Sequence, residues 1–131
     1  MKINLQKFKN FIDIGSGDGK VVLIASLFEI DAVGIEFDKK LIDVGIKIQK
    51  KLGLKAKFIQ GDFLKHDLSE YDFIFINPDK SFEFGLEEKL LNEMHPKAKL
   101  FVYNNIFLPI KLKKGKTYWF GEIPIIGYRK N

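Results

Sequence analysis

Short apolar runs alternate with helical patterns along this chain of 131 residues. Phe11 to Ile14 is apolar, ends in glycines and reads as a first strand. Lys20 to Phe28 reads as a helix, with Val21, Ile24, Ala25 and Phe28 on one face. Ala32 to Phe37 is a second strand. Lys39 to Leu52 is a second helix, stopped by Gly53. Leu41, Val44, Ile48 and Leu52 form its expected core stripe, with Lys47, Lys50 and Lys51 off it. Lys57 to Gln60 and Tyr71 to Ile76 are the third and fourth strands. The fourth is almost wholly apolar, as a strand covered on both faces is. Glu83 to Met94 is a third helix and Lys99 to Tyr103 a fifth strand. Beyond it, Thr117 to Ile123 and Ile125 to Lys130 are joined too tightly for an intervening helix and read as an antiparallel pair.

Strand–helix alternation followed by a hairpin predicts an α/β fold. Its central sheet is mostly parallel, with helices on both faces and a C-terminal antiparallel hairpin. No repeat or linker interrupts the chain, so 1–131 reads as one domain. Residues 1–10 are a lead-in, 11–104 the core, and 105–131 the closing hairpin with its loop. In open sheets of this kind ligands sit outside the carboxyl ends of the strands. The loops at that edge are 15–19, 37–39, 61–65, 77–82 and 104–110.

Composition narrows the chemistry. There is no cysteine, which excludes disulfides, thiolate zinc sites and a cysteine nucleophile. The two histidines, His66 and His95, have no partner at ligand spacing, so no metal is expected. No apolar run reaches the ~18 residues of a membrane span, and no signal-peptide core is present. A cytoplasmic protein without a membrane partner is expected. The net charge of +5 suits an acidic partner such as nucleic acid, but the cations are 21 Lys and a single Arg. Base reading and phosphate forks lean on Arg, so the charge fits loose attraction better than sequence-specific recognition. The basic stretch Lys111, Lys113, Lys114 and Lys116 reads as a loop near the ligand edge, solvated or steering such a partner.

The first strand runs into Asp13-Ile14-Gly15-Ser16-Gly17-Asp18-Gly19 and then a helix. A dinucleotide fingerprint would need glycine where Lys20 stands. A P-loop would need glycine where Ile14 stands and Ser or Thr where Val21 stands. Asp13 and Asp18 surround the loop with negative charge, opposed only by Lys20. A cationic, phosphate-free ligand such as S-adenosylmethionine suits it better. Glu36 ends strand two, where a carboxylate can accept from both ribose hydroxyls. Asp62 follows strand three, positioned to accept from an adenine amino group, and Phe63 can cover a ring face.

The motifs FIDIGSGDGK, VGIEFD, QGDF and FIFINPD, in order over residues 11 to about 104, resemble those of class I S-adenosylmethionine-dependent methyltransferases. The stretches DIGSGDGK, GDFLKHDLSEYD and LEEKLLNEM are similar to the small archaeal-type protein-lysine methyltransferases and to the mitochondrial enzymes that methylate an ATP synthase subunit. The glycine motif is also similar to that of the non-SET histone lysine methyltransferases. The resemblance implies a Rossmann-like fold with S-adenosyl-L-methionine as cofactor. It makes Asp13, Gly15, Gly17, Glu36 and Asp62 cofactor contacts. Ser16, Gly19, Phe37, Phe63 and Asn77 complete the expected set. It also implies a helical segment before strand one. With ten residues before Phe11, an open pocket is expected, closed by a partner or a second copy of the chain.

Methyl transfer is expected at Asn77-Pro78-Asp79, with Tyr103 across from it. Asn77 would accept from an amine, and Asp79 would attract the incoming lysine. Phe82, Tyr103, Asn104 and Phe107 would wall a channel. The substrate expected is a protein lysine. Asn77-Pro78 also matches the first half of the Asn/Asp-Pro-Pro-aromatic motif of enzymes that methylate amino groups of RNA or DNA, but Asp79 and Lys80 break the second half. That alternative stays open, as does a non-catalytic domain that binds cofactor or a partner. A plainer reading has Pro78 only ending the strand. Trp119, with Tyr118 and Phe120, reads as hairpin packing.

Overall fold

In a computed structural model, which describes residues 3–78 and 85–130, the alternating pattern becomes a layered α/β fold. Its parallel strands are β1 (Asn10–Ile14), β2 (Asp31–Glu36), β3 (Ala56–Gln60), β4 (Phe73–Ile76) and β5 (Lys99–Tyr103). The hairpin is β6 (Lys113–Phe120) and β7 (Ile123–Arg129), and the helices are α1 (Lys20–Ser26), α2 (Lys39–Leu52) and α3 (Leu86–Glu93). Among the described residues the strands form one sheet, in the order β3-β2-β1-β4-β5-β7-β6. β7 enters antiparallel beside β5, with Tyr103 opposite Ile125.

Side chains of successive strand residues point to opposite faces, and each face has its own core. Ile12, Ile14, Ile74 and Ile76 pack with Leu86 and Leu90 of α3 on one side. Phe11, Phe73, Phe75 and Phe101 pack with Val22 and Ala25 of α1 on the other. That second face is strongly aromatic: the Phe73 and Phe101 rings lie 4.5 Å apart, and Phe8 meets Phe73 edge-on at 4.9 Å. α2 belongs to the same side, where Gly45 faces the Phe58 ring.

The helix faces differ from those the periodicity predicts. α1 ends at Ser26 and buries Val22, Leu23 and Ala25, leaving Ile24 and Phe28 exposed. α2 has its predicted bounds but is turned. It packs tightly at Gly45, where a Cβ would stand 3.0 Å from the Asp18 carbonyl oxygen of the glycine loop and 3.1 Å from the Phe58 ring of β3. Contact at that point rotates Ile42 inward and leaves Leu41, Val44, Ile48 and Leu52 outside. β6 starts at Lys113, so Lys113, Lys114 and Lys116 lie on a strand and not in a loop. Trp119 is exposed near the hairpin tip and packs into neither core.

An irregular segment joins β5 to β6. Phe107 and Leu112 bury in the core on the α3 side, so Phe107 cannot wall a channel on the opposite face. One carboxylate of α3 organises the end of this segment. Glu87 accepts from the backbone N–H groups of Ile110 (3.0 Å), Lys111 (2.6 Å) and Leu112 (2.9 Å). Burial pushes its carboxyl up, but these three donors outweigh burial and hold it below its ordinary value. Among the described residues no helix is long and apolar enough to cross a membrane.

Replacing Glu87 with Ala should leave those three donors to solvent. Amide exchange at 110–112 is expected to accelerate by about tenfold or more, while the β1 and β4 amides keep their protection. Unchanged exchange at 110–112 would show that the loop is held by Phe107 and Leu112 alone.

Candidate functional site

The carboxyl ends of β1, β2, β3 and β5 place their predicted loops along one edge, where Asn77 and Pro78 follow β4. Beyond Ile14 the chain turns over the end of β2, where Gly15 and Ser16 both donate to the Ile35 carbonyl (2.9 and 3.0 Å). Gly17 has φ +58°, and a Cβ placed on it would meet nothing within 4 Å. Side-chain-free, left-handed backbone of this kind leaves open space for a ligand against the loop. Gly15 and Gly19 also have positive φ. Ser16 is turned under the loop against Gly34 and Val22, and among the described residues its buried hydroxyl has no hydrogen-bond partner.

Glu36 is the junction of the edge. Its Oε1 accepts from the Gly17 N–H (2.9 Å) and its Oε2 from the Asp38 N–H (2.8 Å). A carboxylate offers about four lone-pair sites, so both oxygens keep acceptor capacity. The Glu36 carbonyl accepts from the Gly61 N–H at 3.0 Å, which brings the third loop alongside. There Asp62 caps a short 3-10 turn, Phe63–Lys65, through a bond from the Leu64 N–H (2.9 Å). Phe63 is partly buried against the core on the α3 side, whereas Phe37 is exposed.

Asp13 lies between Gly34 and Phe75 in the sheet, buried, and among the described residues no group donates to its carboxylate. Burial, and then the nearby Glu36 charge, push its carboxyl well above its ordinary value.

Of the expected transfer residues, Asn77 is exposed, Pro78 buried and Tyr103 half-buried. Asp79, Lys80 and Phe82 lie outside the described residues. Asn77 and Tyr103 line a common cavity of about 340 Å³ whose walls include Phe11, Phe75, Val21 and Phe120. Phe120 comes from the hairpin tip, so that strand contributes a wall as well as packing. Asn104 serves differently from a simple wall. It holds φ +77°, rare for a residue with a side chain. Its Nδ2 donates to the Pro78 carbonyl (2.9 Å), its backbone N–H donates to the Pro124 carbonyl (2.7 Å), and its Oδ1 accepts from the Ile106 N–H (2.8 Å). The sequence signal for that role is slight: an Asn, tolerant of left-handed backbone, directly after a strand. His66 Nε2 lies 2.9 Å from the Tyr71 hydroxyl, and His95 Nδ1 accepts from the Lys97 N–H.

The model of the ANTKMT methyltransferase domain matches residues 13–107. The chain belongs to this family. An Arabidopsis thaliana protein named as a caffeoyl-CoA O-methyltransferase is 33% identical over 94% of the chain and 53% of its own length. A Caenorhabditis elegans protein, named as a lysine N-methyltransferase of the ATP synthase c-subunit, is 31% identical over 72% of the chain and 46% of its own length. The chain thus spans about half the length of these curated relatives. In fold it is similar to an RNA methyltransferase of Salinibacter ruber solved with S-adenosyl-L-homocysteine. The TM-score is 0.78 at 23% identity, over 92% of the chain and 80% of that one.

This member of the ANTKMT methyltransferase domain family is therefore of the S-adenosylmethionine-dependent class I type, with S-adenosylmethionine as its cofactor. The residues at the edge fit that molecule. Open space faces Gly17, acceptor capacity remains on Glu36, and the surrounding carboxylates suit a sulfonium and an ammonium group.

A raised folded-state pKa means that protonation of Asp13 favours the fold. That contribution is full below the ordinary value of 3.8 and is lost as pH rises through the raised one. Asp13→Asn should therefore raise the melting temperature of the ligand-free domain at pH 7, by an amount that shrinks towards pH 4. Calorimetric melts at both pH values check this, and a gain that grows on acidification would contradict the burial of an unpaired acid.

Proposed function

We propose that the chain transfers a methyl group from S-adenosylmethionine to the ε-amine of a protein lysine. The observation that carries the reading is the shared lining of one aromatic cavity by Asn77 and Tyr103, which follow the carboxyl ends of neighbouring strands. The nematode relative and a human one, both named as lysine N-methyltransferases of the ATP synthase c-subunit, support the same acceptor.

In this reading the Glu36 carboxylate takes the ribose hydroxyls and Asp62 takes the adenine amino group. Phe63 and Phe37 flank the ring. Gly15, Gly17 and Gly19 let the backbone lie against the cofactor, with Ser16 supporting the turn from beneath and Asp13 placing an acceptor oxygen behind it. The bound cofactor supplies a methyl group activated by its sulfonium. The residues here have to bring a neutral amine into line with it. An apolar cavity disfavours the ammonium form and lowers the amine pKa. Asn77 accepts an N–H of the amine and orients its lone pair, Pro78 fixes the chain at that point, and Tyr103 walls the far side. A C–N bond forms as the C–S bond breaks. The amine proton leaves towards water, with Asp79 as the acid nearest in sequence.

The Asn77-Pro78 pair leaves methylation of a nucleic-acid amino group as a second reading. The missing second proline and stacking aromatic, and a single Arg in the chain, count against it.

Purified protein incubated with methyl-labelled cofactor and cell extract should yield label in methyl-lysine after acid hydrolysis, sensitive to protease and resistant to nuclease. Label in methylated nucleosides would replace the reading with the second one. Glu36→Ala should weaken cofactor binding by about tenfold or more in calorimetric titration, since hydrogen bonds to a charged group carry ~1.5–3 kcal/mol. Asn77→Ala should leave that affinity within about twofold and lower kcat by about a hundredfold. Equal losses of binding in both variants would remove Asn77 from the acceptor side.

A further inference from the structure

α2 carries a surface that the site does not use. At ~3.6 residues per turn, Leu41, Val44, Ile48 and Leu52 fall within one stripe ~80° wide. They are 36%, 44%, 37% and 60% exposed. By the same spacing Lys40, Lys47 and Lys51 fall in the adjoining ~40°, and all three are exposed. The helix holds five lysines and one acid, Asp43, which is paired with Lys39 at 3.0 Å. An apolar ridge bordered by unopposed lysines is therefore presented to solvent along the flank of α2, with the lysines furthest from the sheet.

Each property selects against a different occupant. A nucleic acid would meet the lysines but leave the leucine ridge uncovered. A second copy of the same helix would bring like charges together. An anionic bilayer satisfies both halves, because the apolar residues enter the acyl boundary while the lysines stay at the phosphates. We propose that α2 is an interfacial docking helix for an anionic membrane surface. The expectation of no membrane partner rested on the lack of a spanning run, and a helix lying in the interface needs none. The proposal does not depend on the methyl-transfer reading. α2 starts at Asp38, next to Glu36, so docking along the helix holds the cofactor edge close to the lipid.

Cosedimentation of the whole chain with vesicles tests this, using phosphatidylcholine alone and phosphatidylcholine mixed with phosphatidylserine. Binding is expected only to the mixed vesicles, and it should weaken as salt is raised. Val44→Ser with Leu52→Ser, and separately Lys47→Gln with Lys51→Gln, should each reduce it by about tenfold or more. All four positions are exposed, so melting temperature and cofactor affinity should not change. No binding to the mixed vesicles would overturn the proposal. So would loss in the lysine variant alone, which would indicate a purely electrostatic surface for an acidic protein or nucleic acid. Self-association abolished by the serine variant would assign the ridge to a second copy and overturn it too.

Discussion

The cofactor edge depends on one carboxylate. Glu36 binds the amide of the glycine loop with one oxygen and the amide that opens α2 with the other, and its own carbonyl takes the amide of Gly61. Three loops from three strands are thus set against each other by a single residue at the end of β2. Two of those bonds are charge-assisted, the stronger kind. Removing this side chain would therefore loosen the glycine loop and the start of α2 together.

Asp13 shows the opposite balance. Nothing among the described residues donates to it, and it lies between a glycine and a phenylalanine. An acid in that place costs stability and builds nothing in the ligand-free fold. Ser16, with its unpartnered buried hydroxyl, belongs to the same pattern of local cost at the loop.

The alternation of strands and helices was readable because apolar runs, Gly53 and the Asp13–Gly19 loop are local signals, although α1 stops at Ser26 and not at Phe28. Lys39–Leu52 emerged with its predicted ends. Its face did not, because the rotation of α2 is decided by where a residue without a side chain meets Phe58, a contact between distant segments. The same holds for Phe107, which goes to the α3 core, and for Lys113–Lys116, which strand pairing with β7 removes from the loop. Glycine spacing and the acids after β2 and β3 marked the edge where the structure brings three loops together around Glu36. The convergence of Asn77, Tyr103 and Phe120 on one cavity was only half visible, since Phe120 arrives through the antiparallel insertion of β7.

Asn104 ties the end of β4, the start of β7 and its own loop into one rigid corner. The hairpin strands are then not a flap hinged separately from the end of β4. A force applied at the hairpin tip, on Trp119 or Phe120, reaches the end of β4 through the β7–β5–β4 ladders and, directly, through the Asn104 amide on the Pro78 carbonyl. Displacement of the hairpin tip and displacement of the chain just beyond β4 are thereby mechanically the same event.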